Sequence, residues 1–309
     1  MDQELLDASR YRIQTMSLDS RFADTYFGPN GRCVEGACAT GTNNGTADYL
    51  IRLPSPLKNI MRVSLASVEL PEVEYLFSCK NGNLTFTVTV GATTKTLAIT
   101  PGNYRQNDMA AELAAVLNSP AGFGAGAFAV AVDPVSGLLS IQKTAAPLDF
   151  TIAWQSDVQR IAERRTDWGL GYYLGFRSRT VASSAAGLMR GAAIVRLQPA
   201  PYYLLQLMIP DQVEAITHRL EGGASIPAFG KLVLRDDWYH LQFDDNSNLL
   251  RKEYTFLTPI NVSTVRLRLL DAYGEVVDLA DLNWSVALEF YEVTNARANH
   301  VISKSYARL

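Results

Sequence analysis

At 309 residues, 48% of them hydrophobic, the chain can bury a substantial core in one large or two modest domains, which excludes wholesale disorder. Its formal net charge of −3, with basic side chains scattered among acidic ones, supplies no global field for a polyphosphate and argues against direct nucleic-acid binding. The first ten residues, MDQELLDASR, lack the apolar segment of a signal peptide, and no apolar run reaches the roughly 20 residues of a spanning helix. A soluble protein made in a reducing compartment, without a transmembrane segment, is expected.

Residues 11–18 (YRIQTMSL) alternate weakly and predict an edge strand or an arm that orders against a neighbour. Residues 26–47, dense in Gly and Asn, predict a long surface loop. A strand is expected over 48–53, stopped by Pro54-Ser55-Pro56. A second follows over 60–70, where a phase slip before Val68 predicts a bulge. The texture then changes. LTFTVTV (84–90) and residues 96–100 predict strands, and a helix capped by Asn107 or Asp108 carries Met109, Leu113, Val116 and Leu117 on one face until Pro120 ends it. Residues 128–132 and 138–142 predict a hairpin, and 150–154 a further strand. This middle segment reads as a small α+β unit inserted into a larger β structure.

Residues 156–165 predict a short helix, and the Gly/aromatic stretch 169–176 tight turning beside a sheet. YYLLQLMI (202–209) is a continuous apolar run bounded by prolines and predicts a central buried strand. Strands are expected over 228–234 and 239–243. Over 262–270, Val265, Leu267 and Leu269 alternate with Arg266 and Arg268, the pattern of a half-buried strand. Asp271-Ala272-Tyr273-Gly274 supplies turn chemistry, residues 275–279 resume an extended course, and 284–291 place Trp284, Val286, Leu288 and Phe290 on one face. That face requires a second sheet to bury it.

The chain carries little that reads as chemistry. Cys33, Cys38 and Cys79 make no disulfide framework, though a bridge between Cys33 and Cys38 is geometrically allowed. His218, His240 and His300 are dispersed and complete no zinc set. Gly230-Lys231 lacks the spacing of a phosphate loop, and the triplets Gly122, Gly124, Gly126 and Gly169, Gly171, Gly175 miss the dinucleotide fingerprint. Asp244, Asn246 and Asn248 imitate half a calcium loop, but Leu249 replaces its glycine and Thr255 its glutamate. Asn44, Asn83, Asn261 and Asn283 stand in sequons that coincidence explains. Arg160, Arg164 and Arg165 suggest a solvated or interface-paired helix face. No catalytic, cofactor-binding or metal-binding residue is assigned.

LPSPLKNI (53–60) running into VSLASVELP (63–71), and VRLRLLDAYG (265–274) running into NWSVALEF (283–290), resemble minor capsid and penton-type jelly-roll proteins of large icosahedral double-stranded DNA viruses. Asp19-Ser20-Arg21-Phe22 is similar as well, and the segment around Gly102-Asn103-Tyr104 resembles an inserted domain of some viral and phage structural proteins. The resemblance implies a mainly β fold, a single jelly-roll β-sandwich with a small inserted α+β domain. The expected layout is an N-terminal arm and loop over 1–47, a discontinuous sandwich over 48–81 and 190–295, an insert and connecting segment over 82–189, and a tail over 296–309. It further implies a capsid structural protein without cofactor or catalysis, located in the virion and synthesised in the host cytoplasm. Its partners would be the major capsid protein, other minor capsid proteins and copies of itself, a pentamer being the vertex form. The alternatives are a carbohydrate- or receptor-binding appendage head using Trp168, Tyr172, Tyr173 and Trp238, or a hydrolase pairing His218 or His240 with an acid.

Overall fold

A computed structural model describes residues 11–30, 33–34, 37–38, 41–78, 80–154, 169–198, 201–220, 223–234, 238–244 and 252–294. The helix expected over 156–165, Trp168, Cys79, His300, residues 1–10 and the tail lie outside the described residues. Strands β1 (Tyr11–Asp19) and β2 (Thr25–Asn30) flank a 3-10 turn at Ser20–Phe22, β3 (Cys33–Val34) and β4 (Ala37–Cys38) pair together, and β5 runs from Gly41 to Pro71. Next come β6 (Thr85–Val90), β7 (Thr93–Ala98), helix α1 (Gln106–Leu117), β8 (Phe128–Val132), β9 (Leu139–Lys143), β10 (Thr151–Ala153), the one-turn helix α2 (Leu170–Tyr173), β11 (Thr180–Ala182) and β12 (Leu188–Arg190). The remainder is all β: β13 (Tyr202–Ile209), β14 (Asp211–Val213), β15 (Ile216–Arg219), β16 (Ser225–Ala228), β17 (Gly230–Val233), β18 (Leu241–Asp244), β19 (Glu253–Leu270) and β20 (Ser285–Val293). Two compact units result. One comprises Met1–Asn30, Thr40–Glu74 and Ala200–Leu309, the other Gly31–Ala39 and Tyr75–Pro199.

The first unit is a jelly-roll-like sandwich made by curling one nine-stranded antiparallel sheet into two walls. In the first wall, residues 60–69 of β5 pair with β20, which pairs with β1, and residues 68–71 pair with β18. In the second, residues 41–57 of β5 pair with β2 and β19, and β19 pairs with β13. Both walls turn their apolar rows inward. Leu18, Val63, Leu65, Val286, Leu288 and Phe290 from one and Tyr49, Leu205, Leu207, Val265, Leu267 and Leu269 from the other share a core. Tyr49 and Trp284 meet edge to face across it, with ring centroids 5.3 Å apart.

Here the structure corrects the sequence reading. Pro54-Ser55-Pro56 does not end a strand, because β5 is continuous through it. The β5–β19 register shifts at three places between Thr255 and Thr264, beside Pro54, Pro56, the left-handed Asn59 (φ 53°) and, on β19, Pro259. Prolines remove ladder donors and bulges sharpen twist, so the pair is bent from one wall into the other instead of being broken. The loop expected over 26–47 is also largely strand, with Gly28 opposite Gly45 and Pro29 opposite Asn44. Its irregular register leaves no alternation for a pattern to reveal. The strand expected over 228–234 is two, β16 and β17, in different sheets, separated at the fully buried Phe229.

The turn after β19 forms as its residues dictate. Asp271 Oδ1 accepts the backbone N–H groups of Tyr273 at 2.8 Å and Glu275 at 2.9 Å, and Gly274 sits at φ 84°. A Cβ on Gly274 would also approach Ile226 Cδ1 at 3.2 Å. Gly274→Val is expected to cost about 1–3 kcal/mol; a urea midpoint equal to that of the parent chain would refute the turn's importance.

The second unit has its own core. Sheets β11-β10-β6-β7 and β12-β9-β8 and the Met109, Leu113 and Leu117 face of α1 enclose Trp154, which stacks on Phe176 at 4.8 Å. Helix α1 begins two to three residues earlier than expected. Arg105 stands at its N-cap without a side-chain bond, and Asp108 lies in the first turn, where its charge favours the helix dipole. Gly171 is required by packing: a Cβ there would fall 2.4 Å from Trp154 Cγ.

Two buried phenols make the sandwich alkali-sensitive. Burial pushes Tyr203 well above its ordinary value, with Glu74 and Glu72 adding to the rise, and burial raises Tyr49 likewise. A raised folded pKa contributes stability that is intact below about pH 10, the unfolded value, and is lost as pH rises further. Each phenol is expected to contribute a slope of about 1.4 kcal/mol per pH unit above pH 10. Denaturation midpoints between pH 9 and 11.5 would reveal it, and a slope unaltered by Tyr203→Phe would contradict it.

Candidate functional site

The most unusual surface of the first unit is built on β18, whose polarity is inverted. Leu241 and Phe243 point outward, 62% and 59% exposed, while Gln242 between them is buried and donates from Nε2 to Glu72 Oε2 at 2.8 Å. Asp244 continues the inward row and accepts from the buried Lys252 Nζ at 2.8 Å. The strand thus hides a hydrogen-bonded polar row and shows its apolar residues to the outside. A lone surface leucine means nothing, but two large apolar residues on a strand that buries its polar ones mark a contact surface.

Register extends this surface across the wall. Phe243 pairs with Glu69, Glu69 with Ser285, and Ser285 with Asp19, so these four form one outward row. A cleft of about 260 Å³ opens along it, lined by Asp19, Arg21, Glu69, Leu241, Asn283, Trp284 and Ser285. The 3-10 turn shapes its rim. Arg21 donates from Nε to Asp19 Oδ2 at 2.9 Å and from Nη2 at 2.5 Å, and its backbone N–H reaches Asp19 Oδ1 at 2.8 Å. The Arg21 guanidinium accordingly holds the Asp19 carboxyl below the usual carboxylate range. Ser20 Oγ donates to Asn283 Oδ1 at 3.0 Å, Ser285 Oγ donates to Glu69 Oε2 at 3.2 Å, and Phe22 stands 75% exposed beside Arg21. The cleft offers hydrogen-bonding groups between apolar flanks, the composition of a protein-contact surface. Among the described residues, β18 pairs with β5 alone and β1 with β20 alone, so each presents a free strand edge.

A second polar feature lies on the outer face of the other wall. Asp48, 1% exposed, accepts from Arg266 Nε and Nη2, both at 2.8 Å, and from Arg268 Nε at 2.7 Å. Arg266 also lies 3.9 Å from the centroid of the Phe27 ring.

The residues weighed from sequence do not converge. His218 Nε2 lies 3.1 Å from the Ala272 carbonyl oxygen and its ring stacks edge-on with Tyr202, while His240 is exposed. Among the described residues neither histidine is paired with a carboxylate, and no three metal-binding side chains cluster. Tyr172 and Tyr173 are half-buried against the second core and meet each other edge to face at 5.7 Å, Tyr173 also lying edge-on to Phe77 at 5.6 Å, an arrangement that does not make a flat platform. Asn83 is buried and bonded to Ser78 and Leu76, and Asn283 accepts from Ser20. Cys33 and Cys38 are ladder partners in β3 and β4. Asp244 is tied to Lys252, while Asn246 and Asn248 lie outside the described residues, as do Arg160, Arg164 and Arg165. No helix among the described residues is long and apolar enough to cross a membrane.

No family model and no curated protein matches the chain. Among solved structures it is similar to the selenomethionine-labelled crystal structure of the mavirus penton protein, at 10% identity and a TM-score of 0.45, over 90% of this chain and 99% of that one.

Proposed function

We propose that the chain is a structural component of an icosahedral viral capsid, either the penton at the vertices or a minor protein bracing the major capsomers. The observation that carries this reading is the inverted strand β18, with Leu241 and Phe243 outside and the Gln242–Glu72 pair inside. Burying a satisfied polar pair while two large apolar side chains face water wastes hydrophobic stabilisation unless another subunit covers them. The jelly-roll body and the strand and turn stretches that resemble penton and minor capsid proteins support the viral setting. In this reading the segment Tyr75–Pro199 belongs to an α+β insertion between β5 and β13, and the partners are other capsid proteins and further copies of the chain.

Peptide mapping and single-particle imaging of purified virions test the proposal, and absence of the chain from particles would overturn it. Changing Leu241 and Phe243 together to serine is expected to leave the melting temperature within about 2 °C of the parent, since surface substitutions change stability by about 0.5 kcal/mol or less. Incorporation into particles should be lost, and normal incorporation of that variant would remove β18 from the contact.

A further inference from the structure

Among the described residues, β1 is the one long, regular edge of the sandwich. Its register with β20 runs from Tyr11 opposite Val293 to Asp19 opposite Ser285 without a shift, and it holds neither proline nor lysine. The other strands of the first unit with a free side are short or bent. β14 has three residues, and β15, β16, β17 and β18 have four each. β2 carries Pro29 and two register shifts, and the first half of β19 carries Pro259 and three. Short length, proline and bulges are devices that keep a sheet edge from pairing, and β1 uses none of them.

The ladder pattern identifies the groups left free. The Ser20 N–H donates to the Trp284 carbonyl at 3.0 Å. The hydrogen-bonded pairs therefore continue at every second position, Leu18 with Val286, Met16 with Leu288 and Gln14 with Phe290. The backbone N–H and C=O groups of Ile13, Thr15 and Ser17 point away from β20 and have no partner among the described residues. All three residues are exposed, Ile13 by 52%. Side chains sort the strand into two rows. Leu18 is buried and Met16 packs half-buried against the core, so the even-numbered residues line the inner face, and Tyr11, Ile13, Thr15, Ser17 and Asp19 stand on the outer one. Asp19 ends the row that crosses the wall from Phe243, which makes this edge continuous with the contact surface built on β18.

We propose that β1 receives an added strand, an extended segment of a different capsid protein that pairs with its free edge and lengthens the wall. This rests on reading the chain as a shell subunit. Donors and acceptors alternating at strand spacing are satisfied by an extended backbone, and the side chains that alternate along it supply the selectivity. The segment carries an apolar residue inward beside Met16, where it completes the rim of the core, and another outward beside Ile13. It has no proline among its pairing residues. A second β1 fits poorly. Two-fold pairing over the full strand centres on Thr15 and sets Met16 against Gln14 and Leu18 against Arg12, polar side chains where the rim requires apolar ones. Gln14 is moreover engaged, its Nε2 donating to Glu292 Oε2 at 3.0 Å.

Amide hydrogen exchange of the isolated full-length chain and of the chain in purified particles tests this without substitution. In the isolated chain the amides of Gln14, Met16 and Leu18 are expected to be protected and those of Ile13, Thr15 and Ser17 to exchange freely. In particles the second set should slow by at least about tenfold. Thr15→Pro removes an outward donor and leaves the β1–β20 bonds in place, so its melting temperature should stay within about 4 °C of the parent. Its incorporation into particles should fall by at least about tenfold, a loss of about 1.4 kcal/mol of contact. Gln14→Pro removes a donor to β20 and should lower the melting temperature more than Thr15→Pro does. Three outcomes would each overturn the inference: outward amides already protected in the isolated chain, as monomer or as dimer by sedimentation velocity; unchanged exchange in particles that hold the chain; or Thr15→Pro incorporated like the parent. The last two leave the capsid reading standing, whereas absence of the chain from particles removes both.

Discussion

Trp284→Ala is expected to lower the stability of the sandwich by about 3–5 kcal/mol, the range for removing a large aromatic from a packed core. The indole is 2% exposed, and two contributions, its packing and its Nε1 hydrogen bond, are lost with it. Its body fills the space between the walls, where it meets the Tyr49 ring edge-on, so its removal opens a cavity that β5 and β20 can close only by moving apart from their ladders. Its Nε1 donates to the Thr46 carbonyl at 2.8 Å, tying the entry of β20 to β5. Its backbone exchanges bonds with Ser20, the N–H donating to Ser20 Oγ at 3.0 Å and the carbonyl accepting from the Ser20 N–H at 3.0 Å, which positions the cleft rim. Trp284→Phe keeps most of the volume but strands the Thr46 acceptor, for about 1–2 kcal/mol. The two variants separate packing from hydrogen bonding. Urea denaturation followed by far-UV circular dichroism measures both, and an alanine variant within 1 kcal/mol of the parent would mean that the two walls do not share this core.

How far the sequence discloses this depends on the range of the interaction. The second half of β19, β20 and β6 are readable because each alternates with one face in a core, β13 because its continuous apolar run is buried on both faces, and Asp271 and Gly274 state their turn locally. β5 is readable only in part, over 48–53 and 60–70 with its bulge; its continuity through 41–47 and 54–59 is hidden, since glycines, asparagines and prolines suit its bends while pairing partners as distant as Val262 and Thr264 supply its ladder. The contact surface is hidden for a related reason. Leu-Gln-Phe-Asp at 241–244 alternates like any half-buried strand, and alternation does not say which row is inside. That is settled by Glu72, about 170 residues earlier, which gives Gln242 a buried partner. Arg266 and Arg268 read as an outward row, but nothing near them in sequence announces that Asp48 completes them.

Asp48→Ala is the second substitution expected to cost most, about 3 kcal/mol, because it removes the anion from a cluster of two guanidiniums held by strand register. Asp48 is opposite Arg268 across the β5–β19 ladder, and Arg266 pairs with the neighbouring Leu50, so both cations remain aimed at the vacated position. Three charge-assisted bonds of 2.7–2.8 Å are lost at once. The guanidiniums are 24% and 28% exposed, which lets water recover part of their solvation and keeps the cost below that of a fully enclosed pair. Asp48→Asn, of the same shape but uncharged, should fall between parent and alanine. Replacing all three together, Asp48→Leu with Arg266→Met and Arg268→Met, should recover most of the stability, since apolar residues of similar volume commonly substitute for a buried ionic cluster at little cost. Equilibrium denaturation of the three variants distinguishes the accounts. If the alanine variant alone matches the parent, the cluster is a surface arrangement without energetic weight. If the triple variant is the least stable, the ionic pairing itself, and not the avoidance of stranded charge, holds β5 to β19.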